Sequence, residues 1–304
     1  MASPLIISLK RQKGFCGSKI RILSPAKVNL YLNIIGKYPG GYHRIESVVE
    51  RISLSDDILI TVKKDPSVKI ISNFKALETK DNLIFKAISF IKKRFKVPFG
   101  FDVYLNKNIP IGSGLGGGSS NAASTLLALS NLLRLNVGKK ELYSMGSKLG
   151  SDVNFFLTES KFAFLEGRGE KATPLKAGSR FRHIIIWPGL SISTKKVYAR
   201  TAGKLTKFFN NANILRYALK KSDCSLIQES IFNALEKRAF LVNSRLKKVK
   251  AYLQDKGFLF HLTGSGSAFY TILPFRKDKS DKMTIKKIRK IVPSEWLVFE
   301  AQTF

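Results

Sequence analysis

The glycines Gly112, Gly114, Gly116, Gly117 and Gly118 cluster within Asn108-Ile-Pro-Ile-Gly-Ser-Gly-Leu-Gly-Gly-Gly-Ser-Ser-Asn-Ala-Ala123 and are followed directly by Ser119 and Ser120. Residues without Cβ let a backbone take unusual dihedrals and approach a ligand closely, while the serines add hydroxyl groups. If a helix begins there, its free N–H groups form an anion site suited to the phosphates of a nucleotide. The glycine spacing is not that of a dinucleotide fingerprint, and no Gly-Lys-Ser/Thr follows as in a Walker A loop. The competing reading is a flexible Gly/Ser linker. Two further residues bear on the chemistry. Lys27, in Pro25-Ala-Lys-Val-Asn29, lies between apolar stretches, where an ammonium needs an anionic partner. Asp152, in Gly150-Ser-Asp-Val-Asn154, is either a helix N-cap or that partner. Phosphoryl transfer asks little of a protein beyond positioning, charge compensation and a base near the acceptor hydroxyl.

The flanking pattern predicts the elements that hold these groups. Phe99, Phe101, Val103 and Leu105 alternate as in a strand with one buried face, and Ala122, Leu126, Leu129 and Leu133 recur at helical spacing. This strand–loop–helix context favours an anion cradle over a linker. Upstream, Ile20 and Ile22, then Leu30, Leu32 and Ile34, then Ile58, Ile60 and Val62 read as successive strands of one sheet, with a Pro-Gly-Gly loop over Lys37–His43. Asn82 precedes a helix ended by Pro98, Lys139 to Leu149 forms another, and Gly167–Glu170 makes a turn. In the second half, strands at Arg182–Trp187, Ala268–Leu273 and Trp296–Phe299 interleave with helices, one of them capped by Ser193 or Thr194. A second glycine loop, Thr263-Gly-Ser-Gly-Ser267, precedes the middle of these strands. The result is an α+β chain whose second half has the order of a ferredoxin-like sandwich.

Composition bounds the possibilities. At 304 residues with 44% apolar content, the chain predicts a folded, soluble protein of two domains, and no apolar run reaches the roughly 18 residues that span a bilayer. Cys16 and Cys224 are far apart and lack metal-ligand spacing, which points to a reducing compartment. The net charge of +32 raises a basic nucleic-acid-binding module as a rival reading. The basic residues are dispersed, however, without an RNP or zinc-finger pattern, as expected of a solvated lysine-rich surface. Residues 1–19 carry Lys10, Arg11, Lys13 and Lys19, and no acid occurs before Glu46. A disordered basic extension is expected there and a cytoplasmic location for the protein, or a plastid-type organelle if the segment is a short transit peptide.

Taken together, Pro25–Leu30, Gly41-Tyr42-His43, Pro110–Ala123, Leu149–Val153 and Thr263–Gly266 resemble the ordered motifs of the GHMP kinases, from about Ile20 to near the C-terminus. Within that family, Pro39-Gly-Gly-Tyr-His43 is most similar to the members that phosphorylate 4-diphosphocytidyl-2-C-methyl-D-erythritol in the non-mevalonate isoprenoid pathway. The resemblance implies a two-domain fold, with a ribosomal-protein-S5-domain-2-like nucleotide-binding domain over 20–175 and a ferredoxin-like substrate domain over 176–304. It implies ATP and Mg²⁺, and transfer to the erythritol 2-hydroxyl with Asp152 as general base and Lys27 stabilising the acceptor alkoxide. The nucleotide falls on Pro110, Gly112, Gly114, Leu115, Gly116, Gly117, Gly118, Ser119 and Ser120, with Asn82 and Lys107 near the adenine. The substrate falls on Asn29, Tyr42, His43, Thr194, Tyr198, Gly264, Ser265 and Gly266. Tyr42 and Tyr198 would sandwich the cytosine and His43 would bond its edge.

Alternatives stay open: Tyr198 as an ordinary helix residue, His43 as a loop histidine bonding backbone, and a mevalonate or homoserine kinase type. His183 and His261 lie on expected core strands and read as structural. The expected partner is a small cytidine diphosphate, with no specific nucleic acid, no membrane, and a monomer or homodimer. Gly40, Asn154 and Ala234 depart from the family pattern. The first would alter the tether of the substrate loop, and the second would loosen the turn that aims Asp152.

Overall fold

The computed structural model describes residues 3, 5–178, 180–201, 211–274 and 280–304. Met1, Ala2 and Pro4 of the basic start lie outside them.

The N-terminal part opens with β1 (Ile6–Lys10), β2 (Lys19–Lys37), β3 (His43–Lys63) and β4 (Val68–Ser72), then α1 (Leu83–Phe95), β5 (Gly100–Asn106), α2 (Gly117–Leu132), α3 (Lys139–Leu149) and α4 (Val153–Leu157). It continues with β6 (Phe162–Gly167) and β7 (Lys171–Leu175). β2 and β3 form one long antiparallel hairpin, the spine of an eight-stranded sheet. The outer half of β3 pairs with β5 and the inner half with β6, so one strand serves two partners. The expectation of three short strands is corrected here: Ile20–Ile22 and Leu30–Ile34 belong to the same strand. Register shifts at Pro25/Ala26 and Asn29/Tyr31 break the alternation, and Ala26 to Ile34 are buried throughout. A strand covered on both faces has no period-two signature.

Residues 6–10, expected to be disordered, form an edge strand instead. Leu5 is buried in the core and β1 pairs with β2. Arg11 Nη2 donates to Asn131 O at 2.8 Å and Gln12 N to Ser18 Oγ at 2.8 Å. The open edge of β2 supplies unpaired backbone groups that this segment satisfies.

The second half contributes β8 (Phe181–Trp187), α5 (Thr194–Ala199), α6 (Asn211–Lys221), α7 (Cys224–Ser230), β9 (Phe232–Asn233), α8 (Glu236–Val242), α9 (Ser244–Asp255), β10 (His261–Leu262), β11 (Phe269–Pro274), α10 (Ser280–Ile291) and β12 (Leu297–Gln302). Its sheet runs β10-β11-β8-β12, all antiparallel, which is the strand order of a ferredoxin-like sandwich. The two halves interlock. β9 pairs in parallel with β2, Thr303 bridges Ile52, and Glu50 of β3 accepts from His183 Nε2 of β8 at 3.0 Å and from Thr303 Oγ1 at 2.7 Å. His183 is therefore a structural residue, as its core position predicts.

His261, on β10, packs 5.9 Å from the Tyr270 ring. Burial, then the charge of Lys250, pushes its imidazole down to about 4. The unfolded chain takes up this proton near 6.5 and the folded chain only near 4, so falling pH between those values favours unfolding. His261→Leu should remove about 2–3 kcal/mol of the stability difference between pH 7 and pH 4.5, read by urea unfolding at both. An unchanged difference would mean that His261 protonates without cost.

Candidate active site

The glycine cluster ends in helix α2, as its flanking pattern predicts. Gly116 is the N-cap, held at φ +73°, and no side chain caps the helix. The first-turn N–H groups are thereby left for a ligand. Below that turn α2 is buried all round, from Ser120 to Leu129 and at Leu132, so its N-terminus is anchored by the core. The loop also meets the second glycine loop. Gly114 stands at φ +81°, and a Cβ there would lie 2.3 Å from Thr263 O. Ala268 N donates to Ser113 O at 2.9 Å, and Lys27 N to Leu115 O at 3.0 Å.

A cavity of about 1200 Å³ opens where these loops meet β2, the β2–β3 loop and α5. Gly112, Gly114, Gly116, Gly117, Gly118 and Ser119 line one end, with Pro110, Asn82 and Lys107. Lys27, Asn29 and Asp152 lie in the wall, and Tyr42, His43, Thr194, Tyr198, Gly264 and Ser265 line the remainder. Three expected residues do not line it. Leu115 is core, Gly266 packs against Leu262, and the buried Ser120 hydroxyl accepts from Ser24 Oγ at 2.8 Å. Residues the sequence reading did not single out, among them Lys37, Leu77, Asn121, Arg168 and Lys195, complete the wall.

Lys27 and Asp152 come together from β2 and the start of α4, with Nζ 3.6 Å from Oδ2. The Lys27 side chain is 5% exposed and that of Asp152 33%. Burial pushes the Lys27 ammonium below the ordinary lysine value, and the charge of Asp152 pulls it back up. Asp152 occupies the N-cap position of α4 without a side-chain cap bond. Its carboxylate faces the lysine instead. Asn29, 5% exposed, is held by the protein through both ends of its amide. Its Oδ1 accepts from Lys27 Nζ, and its Nδ2 donates to Ser47 Oγ at 2.9 Å. Its amide therefore orients the lysine.

The turn carrying Asp152 is fastened from three sides. Arg51, buried in β3, donates from Nη2 to Phe156 O at 2.8 Å. Asn154 Nδ2 donates to Ser147 Oγ at 2.9 Å and to Glu170 O at 2.8 Å. The loosening expected from Asn154 is thus overturned, since its amide ties α4 to α3 and to the β6–β7 turn. At Gly40, Tyr38 N donates to Tyr42 O at 2.7 Å and Gly41 N to Tyr38 O at 2.9 Å, so the loop closes on its own backbone.

The aromatic groups are arranged differently from a simple sandwich. Tyr198 packs on His43, ring centroids 5.2 Å apart, and its burial pushes the hydroxyl well above the ordinary phenol range, with Asp152 adding to the shift. His43 Nε2 is hydrogen-bonded to Thr201 Oγ1, and burial, then Lys37 and Arg238, hold the imidazole below its ordinary value. Tyr42 is 61% exposed, with Arg168 over its ring. Ser193 is the cap of α5, accepting from Lys196 N. This leaves Thr194 Oγ1 to bond Ser265 Oγ at 2.8 Å and join α5 to the second glycine loop.

Asp56 is the residue the sequence reading missed. Fully buried on β3, it accepts from Lys107 Nζ at 2.6 Å, from Asn108 N and Ile109 N at 2.8 Å each, and from Asn121 Nδ2 at 2.9 Å. One carboxylate thus ties both ends of the glycine loop. Asn82 spends its side chain on the α1 cap, accepting from Ile84 N at 2.9 Å, and on Leu77 O.

Among the described residues, no cluster of three or more His, Cys, Asp or Glu side chains could hold a metal, and no helix is long and apolar enough to cross a membrane.

Comparison with known proteins agrees with the geometry. The family model for the GHMP kinases N terminal domain matches residues 82–159, and that for the GHMP kinases C terminal matches 215–297. The chain is 34% identical over 262 residues to a 4-diphosphocytidyl-2-C-methyl-D-erythritol kinase of Lachnoclostridium phytofermentans, covering 85% of this chain and 89% of the relative. It is 36% identical over 255 residues to the kinase of the same name from Caldanaerobacter subterraneus subsp. tengcongensis, covering 84% and 88%. A crystal structure of 4-(cytidine 5'-diphospho)-2C-methyl-D-erythritol kinase superposes with a TM-score of 0.74 at 28% identity over 93% of this chain and 99% of that one. A homoserine kinase from Cytophaga hutchinsonii, at 17% identity and a TM-score of 0.69, shares the fold. The chain belongs to the 4-diphosphocytidyl-2-C-methyl-D-erythritol kinase family of the GHMP kinases.

Proposed function

We propose that the protein transfers the γ-phosphoryl group of ATP to the 2-hydroxyl of 4-diphosphocytidyl-2-C-methyl-D-erythritol, giving the 2-phosphate and ADP in the non-mevalonate isoprenoid pathway. The observation that carries this reading is the placement of Asp152, without a capping bond and 3.6 Å from Lys27, in the same cavity as the uncapped α2 N-terminus. Kinship with kinases of that name supports the choice of acceptor.

In this reading the N–H groups of Gly116 to Ser119 hold the donor phosphates. Asp152 Oδ accepts the proton of the acceptor hydroxyl as that oxygen attacks phosphorus. Lys27 Nζ, held by Asn29, offsets the charge developing on the attacking oxygen. Ser119 and Asp152 offer oxygen donors suited to Mg²⁺, which takes most of its ligands from phosphate and water and would draw charge from the transferring group. Tyr42 presents an aromatic face to the cytosine. His43, kept neutral, offers hydrogen-bonding capacity at the base edge.

ADP release should be measured with ATP, Mg²⁺ and each of 4-diphosphocytidyl-2-C-methyl-D-erythritol, mevalonate and homoserine. We expect the cytidine acceptor to be preferred by at least about 10³-fold in kcat/KM, as a site built on stacking and polar discrimination gives. Turnover of mevalonate or homoserine in its place would overturn the proposal.

A further inference from the structure

Arg168 is the cavity residue without an assigned task, and its surroundings are built rather than incidental. It is the centre of the β6–β7 turn, between Gly167 at φ +75° and Gly169 at φ +107°, backbone values that side-chain-bearing residues rarely take. Its backbone N donates to Glu170 Oε2 at 2.6 Å, and Gly169 N donates to Glu166 O at 3.1 Å. Asn154 Nδ2 grips Glu170 O, and a Cβ on Gly169 would lie 3.4 Å from Ser151 Cβ. The turn is therefore fixed to the segment that carries Asp152. From it the guanidinium reaches over the Tyr42 ring, its carbon 5.0 Å from the centroid. One face of an otherwise exposed ring is covered in this way and the other is left for a base.

Arg168 has one loose ion pair, with Glu170, and its side chain is 40% exposed. Glu170 Oε2 is 3.9 Å from Nε, beyond hydrogen-bond distance, and among the described residues the guanidinium makes no hydrogen bond. The buried cations of the cavity are committed, Lys27 to Asn29 and Asp152, and Lys107 to Asp56. Lys37 and Lys195 also line the cavity without an ion pair among the described residues, but neither stands on an aromatic ring. A planar fork with free donors beside a stacking platform matches a base joined through a short ribose to a diphosphate, because guanidinium binds phosphate oxygens in bidentate fashion where ammonium is only a point charge.

We propose that Arg168 is the specificity residue for the acceptor's diphosphate, binding it through the guanidinium edge while the guanidinium plane holds Tyr42 for the base. This deepens the acceptor assignment above and rests on it.

The test is calorimetric binding of CDP and of cytidine to the full chain, with a non-hydrolysable ATP analogue occupying the donor site. The wild type, Arg168→Gln and Arg168→Lys are compared. The wild type should hold CDP at least tenfold tighter than cytidine. Arg168→Gln should lose most of that preference and raise the acceptor KM by tenfold or more, with the KM for ATP within twofold. Arg168→Lys should keep part of the preference, and similar melting temperatures would show that all three are folded. If the wild type binds neither cytidine compound, the acceptor assignment fails and the proposal with it. If the wild type prefers CDP and Arg168→Gln keeps that preference, or loses ATP affinity equally, the role of Arg168 alone is overturned.

Discussion

Asp152→Asn is expected to lower kcat for phosphoryl transfer by about 10³-fold or more while leaving the affinity for a non-hydrolysable ATP analogue within about twofold. Asparagine has the shape of the carboxylate but cannot accept the acceptor's proton and remain a good base. The structure makes this substitution unusually clean. Asp152 makes no cap bond to α4, so removing its charge leaves the helix start undisturbed. The turn is held independently, by Arg51 on Phe156 O and by Asn154 on Ser147 and Glu170. The substitution also removes the charge that raises the Lys27 ammonium against burial, so this lysine should lose its proton more readily in the variant. Both changes act on the acceptor side, whereas the uncapped N-terminus of α2 is untouched. Single-turnover kinetics with ATP analogue titration would separate the two sides. A kcat within tenfold of wild type would reduce Asp152 to a charge partner of Lys27.

The residues that line the cavity were legible for reasons that differ from those governing the fold. The glycine loop could be read because close backbone approach leaves few residue types available, and its conformation bears this out at Gly114 and Gly116. Asn82 could be read as a boundary because capping chemistry is local, and it caps α1. The extent of β2 and β3 could not. Burial on both faces removes alternation, and bulges shift what remains, so a nineteen-residue and a twenty-one-residue strand looked like three short ones. The strand at Ile6–Lys10 is set by an edge it meets only in the folded sheet, and no local signal announces it. Thr194 and Ser193 looked equivalent as caps. Only the approach of Ser265 from the far side of the chain separates their roles. Asn29 lines the cavity, but its bonds to Ser47 and Lys27 depend on the hairpin register and have no local signal in the sequence.

Asp56 shows how much of a site rests on a residue that resembles loop filler in the sequence. Ser55-Asp56-Asp57 reads as polar surface, yet Asp56 is in phase with Ile58, Ile60 and Val62, whose side chains are buried, while Asp57 is in phase with the outer face and pairs with Arg21. That phase was the available signal, an acid on the buried face of a strand. Asp56→Asn should destabilise the protein by about 3–5 kcal/mol in urea unfolding, because the buried Lys107 ammonium loses the carboxylate it pairs with. Burial already pushes Lys107 below the ordinary lysine value, with Asp56 pulling it up, so the variant would hold it neutral or leave it uncompensated. The backbone N–H groups of Asn108 and Ile109 keep an amide oxygen as acceptor in the asparagine variant, whereas the new NH2 group faces Lys107 Nζ and Asn121 Nδ2 donor against donor, so the ion pair and the bond to α2 are lost together. Nucleotide affinity should fall at least tenfold as well, since the strand end at Lys107–Ile109 and Asn121 of α2 are tied to each other through this carboxylate. Adding Lys107→Met to Asp56→Asn removes the stranded charge. The double variant should regain most of the stability but not the affinity, because the tether across the glycine loop remains cut. Stability within 1 kcal/mol of wild type in the single variant, with unaltered analogue binding, would show instead that the loop is held by the core contacts of α2 alone.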